Sequence, residues 1–147
     1  ADANRMFAVG TISDEAQALL RITRQCLQRG IAAVEPGATL GDVGWAIQSH
    51  AERAGYAVVR ELVGHGVGHA FHELPQVCHT GRPGTGIVLV PGMVFTIEPM
   101  INIGGHAIQR LDDGWTIVTA DGSWSAQYEQ TVLVTEQGVR SLTPFPL

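Results

Sequence analysis

The chain has 147 residues, 45% of them hydrophobic, with 18 glycines and 7 prolines, a composition that describes a globular, turn-rich protein and excludes a disordered one. Nine Lys and Arg, scattered along the chain, against 14 Asp and Glu leave a net charge of −5 and an isoelectric point near 5.6, which argues against a nucleic acid gripped through its phosphates. No run approaches the ~20 apolar residues of a membrane helix, and Cys26 and Cys78 form no CxxC pair, so the expectation is no membrane span and a reducing, cytoplasmic setting.

The chain starts without Met, and Arg5-Met6-Phe7-Ala8-Val9-Gly10 reads as the end of a strand already under way, so an incomplete N-terminus is expected. Ser13 is placed to cap a helix whose first turn carries Asp14 and Glu15, favourable near the positive helix end. Leu19, Ile22, Cys26, Leu27, Ile31 and Val34 recur at helical spacing until Glu35-Pro36-Gly37 breaks the pattern. A second helix is expected from Thr39, where Asp42 completes a capping box, with Leu40, Val43, Ile47, Ala51 and Ala54 as its buried stripe and Gly55 at its end. From Tyr56 the period shifts to two. Strands are expected at Tyr56 to Arg60, Val94 to Glu98, His106 to Leu111, Trp115 to Thr119, Ala126 to Thr135 and Val139 to Leu142, the last two joined by a turn at Glu136-Gln137-Gly138. Helices followed by strands indicate an α+β fold, helices packed on one face of a mainly antiparallel sheet.

Four side chains that carry oxygen or nitrogen, Asp2, His65, Glu98 and Glu129, lie in short segments suited to holding them still. Gly64, Gly66 and Gly68 flank His65 so that a tight loop can project the imidazole. Phe71-His72-Glu73-Leu74-Pro75 follows at once. A zinc site made of His65, His69 and His72 alone is rejected, because the glycines argue against the helix that their spacing needs, and His72-Glu73 lacks the second histidine of an HExxH motif. Alternation along the last long strand puts Gln127, Glu129, Thr131 and Leu133 on one face, and each glutamate is expected among apolar neighbours. A buried carboxylate without a partner is costly, and no Lys or Arg lies within either strand, so a bound metal is the favoured account over two solvent-facing glutamates. Carboxylates and one imidazole without a thiolate suit Mn, Fe, Co or Zn, and two such ions can activate water against an amide.

These motifs together resemble the type I methionine aminopeptidases of the M24 metallopeptidases, with their pita-bread fold. The likeness runs from Asp2-Ala3-Asn4-Arg5-Met6-Phe7-Ala8-Val9-Gly10 through Pro36-Gly37, Gly64-His65-Gly66-Val67-Gly68, Phe71-His72-Glu73-Leu74-Pro75, Pro91-Gly92-Met93-Val94-Phe95-Thr96-Ile97-Glu98-Pro99 and Asp113-Gly114-Trp115 to Ser125-Ala126-Gln127-Tyr128-Glu129. It implies a C-terminal half, residues 1–147 forming one catalytic domain incomplete at its N-terminus, with two helices on a curved sheet and an uncovered sheet edge inclined to self-association. The implied reaction is removal of the initiator methionine from nascent proteins by attack of a metal-bound hydroxide on the first peptide bond. The resemblance makes Asp2, His65, Glu98 and Glu129 metal ligands, with Glu98 also a proton shuttle, and makes His72 a catalytic contact to the scissile amide. Phe71, Trp115 and Gln127 become substrate-pocket residues. A further ligand, an aspartate, and a further histidine of the active site are expected upstream of Asp2. The implied cofactors are two divalent ions, Co, Mn, Fe or Zn, and the implied partners are N-terminal Met-Xaa peptides and the ribosome. Gln130 and His69 depart from the residues frequent in the family. An Xaa-Pro aminopeptidase or creatinase-type relative, or a non-catalytic pita-bread module that binds peptides or ribosomes, is the alternative.

Overall fold

Two helices form where capping and apolar spacing agree. The structure, a computed structural model, describes residues 1–145. Helix α1 (Asp14–Ala32) opens on Ser13, whose hydroxyl accepts the Ala16 N–H at 3.2 Å, and buries Leu19, Ile22, Cys26 and Leu27. Helix α2 (Leu40–Arg53) opens on a complete capping box, in which Thr39 accepts the Asp42 N–H and Asp42 accepts the Thr39 N–H at 2.7 Å. It stops at Ala54, which caps the helix and is exposed rather than part of the buried stripe. Gly55 follows with a φ of +85°, the left-handed conformation that ends helices without a Cβ clash.

The main sheet has six antiparallel strands: β1 (Ala3–Asn4), β3 (Gly64–Gly66), β4 (Glu73–Val77), β5 (Val94–Ile97), β10 (Glu129–Thr135) and β11 (Gly138–Ser141). Their order is β1-β10-β5-β3-β4, and β11 shares the β1 edge of β10 further along that strand. A second sheet is built from β2 (Ala57–Val58), β6 (Met100–Asn102) and β9 (Ser125–Gln127), and a ribbon from β7 (Ile108–Arg110) and β8 (Ile117–Thr119). Both helices cover one face of this assembly. Phe95, Ile97, Ile101, Val132 and Val134 meet α1 and α2 there, all of them essentially inaccessible to solvent. Gly30 allows close packing there, since a Cβ on it would lie 2.8 Å from Ile47 and 3.1 Å from Ile97.

Three sequence expectations are corrected. The N-terminal strand is Ala3–Asn4, and residues 5–10 lie outside any strand, with Phe7 and Val9 exposed. The Gly64-His65-Gly66 segment is a strand rather than a loop, and none of Gly64, Gly66 and Gly68 has a positive φ. Those glycines serve close approach instead: a Cβ on Gly64 would lie 2.5 Å from the Thr96 carbonyl, and one on Gly66 would strike the Leu74 carbonyl. The single strand expected over Ala126 to Thr135 is interrupted at Tyr128, so that β9 belongs to the second sheet and β10 to the first. Its partner breaks at the same level, between β5 and β6, where Pro99 supplies no N–H to a ladder. That paired break is where the two glutamates sit.

Candidate metal centre

Register alone brings the four expected side chains to one place. Thr131 pairs with Thr96, and one further step along the ladders that join β1 to β10 and β3 to β5 puts Asp2 beside Thr131 and His65 beside Thr96. Asp2, Thr131, Thr96 and His65 therefore form a row across four strands on the face opposite the helices, since Phe95, Ile97 and Val132 occupy the alternate positions. Two residues along, the registers on both sides of the break set Glu98 opposite Glu129. Like charges directly opposite in a sheet repel, so this pair works against stability unless something positive lies between.

The two threonines hold the row. Thr131 Oγ1 accepts the Asp2 N–H at 2.8 Å and donates to the Asp2 carbonyl at 2.8 Å. Thr96 Oγ1 accepts the His65 N–H at 2.9 Å and donates to Glu98 Oε1 at 2.8 Å. Gln127 donates from Nε2 to the other oxygen, Glu98 Oε2, at 3.1 Å. His65 Nδ1 lies 3.0 Å from the Gly66 carbonyl, an acceptor only, which puts the ring hydrogen on Nδ1 and leaves Nε2 with a free lone pair. Nε2 stands 3.9 Å from Asp2 Oδ2 and 3.7 Å from Glu98 Oε1. One ligand-type atom from each of Asp2, His65 and Glu129 lies within 4.8 Å of the others. Glu98 stands at the rim of this trio through its approach to His65.

The electrostatics suit a bound cation. Glu129 is buried, and its Oε1 has no hydrogen-bond partner. Burial first, then the charges of Glu98 and Asp2 and a hydrogen bond to Asp2, push the Glu129 carboxyl up to about 8. Burial likewise raises Glu98, against the opposing influence of the Thr96 hydrogen bond and His65. Such shifts arise where acids are gathered without compensation, and a divalent cation, with its affinity for carboxylate and imidazole, supplies it. The expectation of apolar neighbours around each glutamate is corrected: both sit on a polar face with Thr96, Gln127 and Thr131.

A cavity of about 830 Å³ opens over this face, lined by His65, Glu98 and Glu129 and by His72, Gln127, Leu62, Met100 and Trp115. His72 is exposed, its ring 4.3 Å from that of His65, edge to face. Phe71 packs at a tilt against His65 and edge to face against His72, but does not line the cavity and is 53% exposed. Trp115 borders the cavity with 87% of its surface in solvent, held at the tip of the β7–β8 ribbon by Asp113, which accepts the Trp115 and Thr116 N–H groups. His69 is exposed on the loop that joins β3 to β4. Gln130 is turned away, its Oε1 accepting from Ser141 at 2.7 Å.

Sequence reading missed His79. Its Nε2 accepts the Glu98 N–H at 3.1 Å, and burial drives its pKa down to about 3. A signal was present, because alternation from Val77 points His79 to the buried face beyond β4.

Residues 1–136 match the model of metallopeptidase family M24. The chain belongs to that family. Among M24 relatives, it is 56% identical over 142 residues to methionine aminopeptidase A of Synechocystis, which covers 97% of this chain and 56% of that protein. The crystal structure of methionine aminopeptidase from Rickettsia prowazekii superposes with a TM-score of 0.93 at 46% identity, over 95% of this chain and 57% of that one. The X-Pro aminopeptidase of Thermotoga maritima shares the fold more distantly, with a TM-score of 0.73 at 23% identity over 99% of this chain and 36% of that one. The chain thus has the α+β pita-bread architecture of M24 enzymes, and it spans a little over half the length of the methionine aminopeptidases it matches. No helix among the described residues is long and apolar enough to cross a membrane.

Proposed function

We propose that this chain carries the metal centre of a methionyl aminopeptidase, a hydrolase that removes the initiator methionine from nascent proteins with a small second residue. The observation that carries the reading is the convergence of Asp2, His65 and Glu129 within 4.8 Å, with Glu98 3.7 Å from the same imidazole. Identity above 50% to a protein named methionine aminopeptidase supports the substrate, where likeness to X-Pro enzymes supports only the fold.

Asp2, His65, Glu98 and Glu129 would hold divalent cations, two of them in the complete centre, with Co, Mn, Fe and Zn matching the donor set. A cation bound there supplies Lewis acidity, polarising a carbonyl and lowering the pKa of a water. Glu98 is placed to carry a proton, because burial raises its carboxyl while Thr96 and Gln127 fix both oxygens. His72, exposed at the cavity beside His65, is placed to donate to the oxygen of the scissile amide. Leu62, Met100 and Trp115 give the cavity apolar surface for a methionine side chain, Gln127 holds Glu98 on its polar side, and Phe71 packs against the His65 and His72 rings behind it. The partners are N-terminal Met-Xaa peptides presented in the cytoplasm, at the ribosome where they emerge.

Two measurements test this. Calorimetric titration with Mn²⁺ or Co²⁺ should show uptake by the chain that His65→Ala abolishes; equal uptake by both would favour a non-catalytic module. With the upstream segment added and metal present, free Met should be released from Met-Ala-Ser in preference to Ala from Ala-Pro-Ser. The reverse preference would make the X-Pro assignment the better one.

A further inference from the structure

The segment that follows β4 is seated on helix α2 at a point built for contact. Gly44 lies inside that helix, where glycine costs roughly 0.5–1 kcal/mol relative to alanine. A Cβ there would meet the Thr80 carbonyl at 2.5 Å and the Cys78 carbonyl at 2.9 Å, so the glycine lets residues 78–80 lie directly on the helix. His79, between them, is 1% exposed and reaches the end of β5, where its Nε2 accepts the Glu98 N–H at 3.1 Å. That N–H lies one residue past the last strand position of β5, and Pro99 follows with no N–H of its own. The imidazole takes the place of a ladder carbonyl at the break between the two sheets.

We propose that His79 is a positioning residue for the metal centre: seated by Gly44 on α2, it fixes the Glu98 backbone where β5 breaks and so aims the Glu98 carboxylate at His65. Acceptance at Nε2 requires the ring hydrogen on Nδ1, an atom buried without a protein partner, a cost that an apolar side chain of similar size would not carry. The inference rests on the metal reading above. The side chain touches neither cation nor substrate; it acts through Glu98.

The test compares His79→Gln, whose side-chain oxygen reaches the Nε2 position, with His79→Asn and His79→Leu, which place no acceptor there. Co²⁺ affinity of the chain is measured by calorimetry and Co²⁺ geometry by its visible absorption, after circular dichroism has verified the fold. Affinity should fall roughly ten- to hundred-fold in the Asn and Leu variants, as for other groups that orient a metal ligand, with an altered Co²⁺ spectrum, and should recover in the Gln variant. Should Leu fail to fold, the Gln and Asn pair decides. Equal affinity across folded variants overturns the proposal, whereas no Co²⁺ uptake by the unmodified chain overturns the metal reading and this inference with it. Nitrogen-15 NMR of the metal-free chain gives an independent readout: the Nδ1–H tautomer is required, and the Nε2–H tautomer contradicts it.

Discussion

At Glu129 a buried carboxyl keeps one oxygen with no partner while two further acids stand close by. A carboxyl raised from 4.5 to about 8 in the folded chain contributes stability that is complete below 4.5 and is lost as pH rises through 8. His79 shifts the other way, down to about 3, so its contribution is complete above 6.5 and is lost on acidification. Between pH 6.5 and 8.5 the histidine is therefore silent and the glutamate dominates. Thermal melts of the metal-free chain should fall across that window, and added Mn²⁺ should raise the midpoint most at its alkaline end. A flat profile would contradict the assignment of Glu129. Glu129→Gln should remove the pH dependence and raise the metal-free midpoint at pH 8.5, while abolishing the response to Mn²⁺; a retained metal response would speak against Glu129 as a ligand.

The paired break at Glu98-Pro99 and Tyr128 is the element on which the site depends, and the threonine row beside it sets the geometry. Thr96→Val removes the acceptor of the half-buried His65 N–H, a loss of about 1–3 kcal/mol, and the donor to Glu98. The expected result is a lower melting temperature together with weaker Co²⁺ binding in calorimetry; unchanged binding would show that Thr96 only supports the sheet. Gly44→Ala gains helix propensity of about 1 kcal/mol but must displace the carbonyls of residues 78–80, which costs typically 1–3 kcal/mol. Net destabilisation in a chemical denaturation curve is expected. A stabilised variant would mean that the contact with α2 is loose. Helices α1 and α2 were legible because capping residues and apolar spacing agree over long segments. Strand β3 was not, since three residues with two glycines carry no period, and the break in β9–β10 was hidden because both sides read as one alternating run.

For the whole molecule, the fold's service to the site is separation of faces. The helices take Phe95, Ile97, Val132 and Val134, which leaves the alternate positions free to hold the polar row. The α+β class followed from the order of elements along the chain, but the division into two sheets did not, because it is set by pairings far apart in sequence, such as Ala57 with Asn102 and Met100 with Gln127. Asp2, His65, Glu98 and Glu129 could be named from short motifs and resemblance, yet only the register of β1, β10, β5 and β3 brings them together. His79 escaped because its hydrogen bond is to a backbone N–H just past the end of β5, nineteen residues further along the chain. The most direct measurement is anomalous diffraction from crystals of the chain grown with Co²⁺. The account predicts a cobalt peak within coordination distance of His65 Nε2 and the carboxylates of Asp2, Glu98 and Glu129; cobalt held elsewhere, or a saturating concentration leaving those four side chains without it, would contradict it.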